Sequence, residues 1–245
     1  NIKGGEIEID GGVSSQYISA LMLIAPTFRN GLNIKLLNDL VSKPYIEMTA
    51  KLMQGFGAKV KFEDSRILVE KGGYCSSQFA VESDWSAASY WYEILSFAKS
   101  GKISLEGLKR DSLQGDSVIT DLFKSFGIKT EFGSSGIVLR KVDIELPQYF
   151  EYDFTMCPDL AQTAAVTCLG LGIEAKLTGL KTLKIKETDR ILALQNELEK
   201  LGAEIECGND WMKINTLELS TFNFENSTQI ETYQDHRMAM AFAPL

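Results

Sequence analysis

The sequence predicts an α/β protein built from a repeated strand–helix–strand–helix–strand–strand unit. Three observations carry that prediction. First, FGAKVKF (Phe56–Phe62), FGIKTEF (Phe126–Phe132) and LGAEIEC (Leu201–Cys207) share one pattern: a helix end, a glycine, then alternating residues. Second, the glycines Gly57, Gly127 and Gly202 lie 70 and 75 residues apart, a repeat length that holds one supersecondary unit. Third, each pattern is preceded by an apolar stripe of helical period and followed by a short apolar strand.

Taken in order, each unit opens with a strand and a helix. IEID (Ile7–Asp10) leads into SSQYISALMLIA (Ser14–Ala25), FAVE (Phe79–Glu82) into SAASYWYEILSFA (Ser86–Ala98), and FEYDF (Phe150–Phe154) into PDLAQTAAVTCLGL (Pro158–Leu171). A second helix follows: KPYIEMTAKLMQG (Lys43–Gly55), DSVITDLFKSFG (Asp116–Gly127) and DRILALQNELEKLG (Asp189–Gly202). The glycine closing each suits a left-handed helix terminus. The alternation after it has period two, the mark of a half-buried strand. RILVE, GIVLR and WMKIN complete the units, and a fourth starts at IETYQDHRMAMAF (Ile230–Phe242). Both ends of the sequence read as cut within such a unit, so the expectation is a piece of a longer protein.

Composition narrows the function. The chain has 245 residues with a formal net charge of −8, the wrong sign for coating a nucleic-acid duplex. An anionic ligand would need a local cluster of cations. Apolar runs are too short to span a bilayer, and no signal peptide is visible. Four scattered cysteines fit free thiols in a reducing cytoplasm better than disulfides or zinc. The single histidine excludes any site built from several.

Polar residues at the helix openings are what the repeat does not explain. Ser14, Ser15 and Gln16 open one helix, and Ser42, Lys43, Pro44 and Tyr45 open the next. The first reads equally as an N-cap or as a phosphate cradle of hydroxyls and free N–H groups; at the second a cap is the default, with a serine and a lysine again meeting a helix start. Asp159 follows Pro158 in nearly apolar surroundings, which could desolvate its carboxylate and make it a base. His236 and Arg237 open the last helix. In KIKETDR (Lys184–Arg190), Lys186 and Arg190 are spaced to share a helical face near a positive dipole end, an unfavourable placement unless an anion sits there. Glu187 is then a candidate acid, while Asp189 is either a cap or a partner for Arg190.

With these residues in view, the sequence resembles the 5-enolpyruvylshikimate-3-phosphate synthase (3-phosphoshikimate 1-carboxyvinyltransferase) family. The resemblance rests on GGVSSQYISALMLIAP, LVSKPYIEMT, SLQGD, PDLAQTAA, KETDR with LGAEIE, and YQDHRMAMAF, in the family's order. It implies a two-lobed enolpyruvyl transferase fold with inside-out, barrel-like lobes of three units each and a site in the cleft between them. Residues 1–82 would be the last unit of the N-terminal, shikimate-phosphate-binding lobe, and 83–245 most of the C-terminal lobe. The implied reaction moves the enolpyruvyl group of phosphoenolpyruvate to the 5-hydroxyl of shikimate 3-phosphate and releases phosphate, with no metal or organic cofactor. By resemblance, Asp159 and Glu187 are catalytic, as base and acid. Ser14, Ser15, Gln16, Ser42, Tyr45, Asp159, Thr182 and Lys186 hold shikimate 3-phosphate; Arg190, His236 and Arg237 hold phosphoenolpyruvate. Thr182 departs from the family, whose better-known members carry asparagine there. The implied protein is a cytoplasmic monomer that binds these two small molecules and neither nucleic acid nor membrane. The fragment alone is expected to be inactive. Two other readings fit less well: a UDP-N-acetylglucosamine enolpyruvyl transferase, which lacks the Ser-Ser-Gln and KETDR signatures, and a non-catalytic scaffold, which leaves the paired carboxylates unexplained.

Overall fold

The computed structural model describes residues 2–38, 40, 42–215 and 228–245. They divide into two compact units, one of Asn1–Val81 with Leu113–Gly115 and one of Glu82–Ser112 with Asp116–Leu245.

The first unit has the predicted element order. Strand β1 (Gly5–Asp10) leads through helix α1 (Ser15–Ile24) to β2 (Leu32–Leu37), then helix α2 (Lys43–Gly55) and the hairpin β3 (Val60–Glu63) and β4 (Arg66–Val69). The sheet runs β1-β2-β4-β3, with β1 and β2 parallel and the other pairs antiparallel. Alternation in GEIEID turns Ile7 and Ile9 toward the core and Glu6 and Glu8 outward, where they meet Arg66 and Lys35. Ile46, Ala50 and Met53 on α2 close over Ile18 and Met22 of α1 and Ile34 and Ile67 of the sheet. Each of these isoleucines and methionines, fully buried, contributes about 1.5–3 kcal/mol.

The second unit repeats this order twice, with changes. Helix α3 (Trp85–Phe97) and β5 (Lys102–Glu106) come first. They are followed by the one-turn helix α4 (Ile119–Leu122), β6 (Ile128–Phe132) and β7 (Gly136–Lys141). Next are β8 (Tyr149–Asp153), α5 (Ala161–Gly170), β9 (Glu174–Thr178), α6 (Arg190–Lys200), β10 (Glu204–Cys207) and β11 (Trp211–Asn215), and then α7 (His236–Phe242). The second sheet runs β10-β11-β9-β8, the same first–second–fourth–third order as in the first unit. Gly57, Gly127 and Gly202 all carry positive φ, so the three helix ends close as the repeat predicts.

The structure departs from the sequence reading in three places. Phe79–Glu82 forms no strand; Val81 is 87% exposed, and the middle sheet holds only β5-β7-β6. Alternation alone cannot make a strand without a ladder to join. The single helix expected over Asp116–Gly127 is split into 3-10 turns, Gly115–Val118 and Phe123–Phe126, on either side of α4. Ile230–Gln234, where the fourth unit was expected to open, is irregular rather than a strand, with Tyr233 and Gln234 at positive φ.

Three helices meet in the core of the second unit. Near their starts, the Ser89 and Thr163 hydroxyls lie 3.1 Å apart, linking α3 to α5. At their ends, a β-carbon on Gly170 would lie 2.6 Å from a ring carbon of Phe97 and 2.7 Å from a methyl of Leu245. Contacts at both ends make α3 and α5 parallel, and α7 runs the same way, with Arg237 at its start reaching Asp159 ahead of α5 and Leu245 beyond its end against Gly170. Their N-terminal ends therefore open on one side.

Candidate active site

Asp189 settles how α6 begins. Its carboxylate accepts from the backbone N–H groups of Ile191 and Leu192, each at 3.1 Å, and so caps the helix. Arg190 is the first helical residue, while Lys186 lies ahead of the helix, just after a 3-10 turn over Lys181–Ile185. The expectation that Lys186 and Arg190 share a helical face is therefore wrong: the cap residue separates them. Asp189 takes the cap role, leaving Arg190 to other carboxylates.

Those carboxylates come from far along the chain. Arg190 donates Nε–H to Asp235 at 2.7 Å, Nη1–H to Asp159 at 3.1 Å, and Nη2–H groups to Glu187 at 2.7 Å and Asp235 at 3.3 Å. Asp235 also caps α7 by accepting the Arg237 backbone N–H at 2.8 Å. The Arg237 guanidinium reaches back to the second oxygen of Asp159 at 3.1 Å. Asp235, Arg190, Asp159 and Arg237 thus close a ring, with Lys186 3.6 Å from Asp159 on its edge. Burial alone would raise the Asp235 pKa, but hydrogen bonds from Arg190 and the Arg237 backbone, with the nearby charges, hold it below its ordinary 3.8.

The ring sets what the cluster can do. Three cations, Lys186, Arg190 and Arg237, face three carboxylates, Asp159, Glu187 and Asp235, so their formal charges cancel. Asp235 is sealed, whereas the Glu187 side chain is 52% exposed. Glu187 is the member an incoming anion can displace at least cost. Glu187, expected as a candidate acid, is also an ion-pair partner of Arg190. Asp159, expected in apolar isolation, instead faces three cations.

The other predicted residues are placed as follows. His236 is exposed at the first position of α7, and Thr182 is buried in the 3-10 turn before Lys186. The Thr182 hydroxyl oxygen has no hydrogen-bond partner among the described residues. In the first unit, Ser14 precedes α1, which begins at Ser15 with Gln16 next, and Ser42 precedes α2, with Tyr45 on its first turn. Neither Ser14 nor Ser42 makes a side-chain cap bond. Ser42 holds φ at 53°, a left-handed conformation that costs a non-glycine residue about 1–3 kcal/mol. A bond of 2.9 Å between the Ser19 and Thr49 hydroxyls, one to two turns in from both starts, makes the two openings neighbours. The structure therefore gathers Asp159, Lys186, Glu187, Arg190 and Arg237 in one unit, and Ser14, Ser15, Gln16, Ser42 and Tyr45 in the other.

Sequence reasoning missed Asp235, whose local signal was a carboxylate just before a helical apolar pattern.

Comparison with known proteins follows the same lines. A family model described as EPSP synthase (3-phosphoshikimate 1-carboxyvinyltransferase) matches residues 1–244. The 3-phosphoshikimate 1-carboxyvinyltransferase of Bacteroides fragilis (strain YCH46) is 47% identical over 244 residues, 99% of this chain and 59% of the relative. That of Mannheimia haemolytica is 38% identical over 246 residues, 99% of this chain and 55% of the relative. The chain therefore spans little more than half the length of these relatives. An EPSP synthase structure from Acinetobacter baumannii superposes with a TM-score of 0.69 at 19% identity, over 98% of this chain and 55% of that one. The enolpyruvyl transferase NikO from Streptomyces tendae gives 0.57 at 12% identity, over 85% and 51%. At such identities the structural likeness shows the fold alone.

Proposed function

The chain belongs to the EPSP synthase (3-phosphoshikimate 1-carboxyvinyltransferase) family, and from that premise we propose that it forms part of an enzyme joining phosphoenolpyruvate to shikimate 3-phosphate. The observation that carries the proposal is the gathering of Asp159, Lys186, Glu187, Arg190 and Arg237 around one carboxylate–guanidinium ring. A structural ion-pair network has no need of the exposed Glu187 and the half-buried Lys186 on its rim.

In this reading residues 1–82 are the last unit of an N-terminal lobe and 83–245 most of a C-terminal one. Ser14, Ser15, Gln16, Ser42 and Tyr45 are proposed as ligands of shikimate 3-phosphate, and so are Thr182 and Lys186. Arg190, Arg237 and His236 take the phosphate and carboxylate of phosphoenolpyruvate. The 5-hydroxyl oxygen bonds to C2 of phosphoenolpyruvate, its proton passing to Asp159 as Glu187 delivers a proton to C3. Loss of a C3 proton and of phosphate from that tetrahedral adduct then restores the enol double bond. The ligand phosphate competes with Glu187 for Arg190. The cations stabilise charge developing at the departing phosphate. The scheme needs no metal or organic cofactor. The same reading makes the enzyme a cytoplasmic monomer with two small-molecule substrates and no nucleic-acid or membrane partner. No helix among the described residues is long and apolar enough to cross a membrane.

Calorimetric titration of the chain with shikimate 3-phosphate tests this reading. Binding is expected, weakened roughly tenfold by Lys186→Met, the scale of one charge-assisted contact. Equal affinity for shikimate 3-phosphate and inorganic phosphate, or no response to Lys186→Met, would overturn it.

A further inference from the structure

Glu197 is a buried carboxylate of the second unit that takes no part in the ring. It is 0% exposed on α6, two turns after Arg190, so the two residues share one helical face about 10 Å apart. Burying a charge is costly unless the group is paired and hydrogen-bonded. Glu197 meets that condition with partners from two places. Lys200 donates to both of its oxygens, at 2.9 and 2.7 Å, while the Glu231 backbone N–H donates at 3.0 Å and the Tyr233 hydroxyl at 2.8 Å. Asn196, beside Glu197 on α6, donates to the Tyr233 hydroxyl oxygen at 3.3 Å.

The segment gripped in this way is the approach to α7. The Asp235 N–H donates to the Thr232 carbonyl at 2.8 Å, with Tyr233 at φ 54° and Gln234 at φ 55° between them. Positive φ at both central residues is the pattern of a type I′ turn, which favours Asn-Gly and here carries Tyr-Gln. Left-handed backbone is unfavourable for both residues and persists only where the surroundings impose it. Helix α6 imposes it from both ends. Glu197 holds Glu231 and Tyr233 at the start of the turn, and Arg190 holds Asp235 at its finish.

We propose that Glu197 is a positioning residue for the anion site: through Tyr233 it clamps the strained turn Thr232–Asp235, and so fixes where α7 begins and where Arg237 stands against Asp159. The role rests on reading the ring as the phosphoenolpyruvate subsite. Glu197 and Tyr233 lie outside that ring and act on it through Asp235 and Arg237. The clamp joins residues 36 positions apart, which is why no local motif announces it.

The test uses this 245-residue chain and two readouts. In amide hydrogen exchange without ligand, Tyr233→Phe removes only the hydroxyl. It should speed exchange of the Arg237 N–H, which bonds to the Asp235 cap, roughly tenfold, while amides within α5 keep their wild-type rates. In calorimetry, the same variant should weaken phosphoenolpyruvate binding roughly tenfold, the scale of one hydrogen bond to a charged group. Adding Gln234→Gly, at an exposed position, relieves the left-handed strain and should recover much of both losses. Should Tyr233→Phe fold poorly, Glu197→Met removes both acceptor oxygens and should give the same contrast from the α6 side. Unchanged Arg237 exchange, equal acceleration in α5 and α7, or no recovery with Gln234→Gly overturns the proposal. Failure of wild type to bind phosphoenolpyruvate, while the exchange contrast and its recovery hold, counts against the substrate assignment and leaves the positioning role standing.

Discussion

Arg190 and Asp235, 45 residues apart, form an ion pair of 2.7 Å with side chains 2% and 0% exposed. The pair joins the start of α6 to the start of α7, because the same Asp235 carboxylate caps α7. Removing one partner leaves the other charge buried and uncompensated, which costs about 3–5 kcal/mol. Asp235→Ala should therefore destabilise the second unit by that amount, read as a fall in urea midpoint. Asp235→Asn keeps the cap acceptor and should lose less.

The same residue predicts behaviour in acid. The folded Asp235 pKa lies below 3.8, so the unfolded chain takes up this proton first as pH falls. Its contribution is fully present above about pH 4, near the unfolded aspartate value, and is lost as pH drops through the folded value. Denaturation midpoints followed from pH 6 to pH 3 should fall less steeply in Asp235→Asn than in wild type. Equal slopes would show that the pair carries no linkage.

Glu93 predicts the opposite sign. It is 0% exposed on α3, its two oxygens have no hydrogen-bond partner among the described residues, and burial pushes its pKa well above 4.5. The folded state holds the proton that the unfolded chain releases. Stability from this group is present below about pH 4.3, the unfolded glutamate value, and declines as pH rises toward the folded value. Glu93→Met, close in volume and uncharged, should raise the urea midpoint, and more at pH 8 than at pH 5. A gain independent of pH would mean that the carboxyl is ionised in the fold.

These residues also show where sequence reasoning reached its limit. The unit repeat was legible because helix-closing glycines and period-two strands are local patterns. Helix openings were legible for the same reason, and they carried the resemblance. The ring was not, because Arg190–Asp235 and Arg237–Asp159 join residues 45 and 78 apart, a relation no periodicity encodes. Phe79–Glu82 failed in the other direction: its alternation is real, but among the described residues no strand lies alongside it to complete a ladder. Asp189 shows that a local signal can be read two ways until the backbone angles are known. At φ −70° and ψ 93° it stands outside the helix, as a cap must.

Glu187→Gln separates a structural carboxylate from a chemical one. The Glu187–Arg190 contact is short, at 2.7 Å, but Glu187 is 52% exposed, and such pairs contribute under about 1 kcal/mol. Arg190 keeps Asp159 and Asp235 when the charge at position 187 is removed, so the ring survives. Glutamine retains an oxygen acceptor for Nη2 but cannot deliver a proton to C3. In an active enzyme carrying this sequence, Glu187→Gln should leave the melting temperature nearly unchanged, leave shikimate 3-phosphate affinity within about twofold, and cut turnover by about 10²–10⁴. Loss of stability instead, with turnover per folded molecule intact, would make Glu187 a member of the ion-pair network and return the search for the acid to Lys186 and His236.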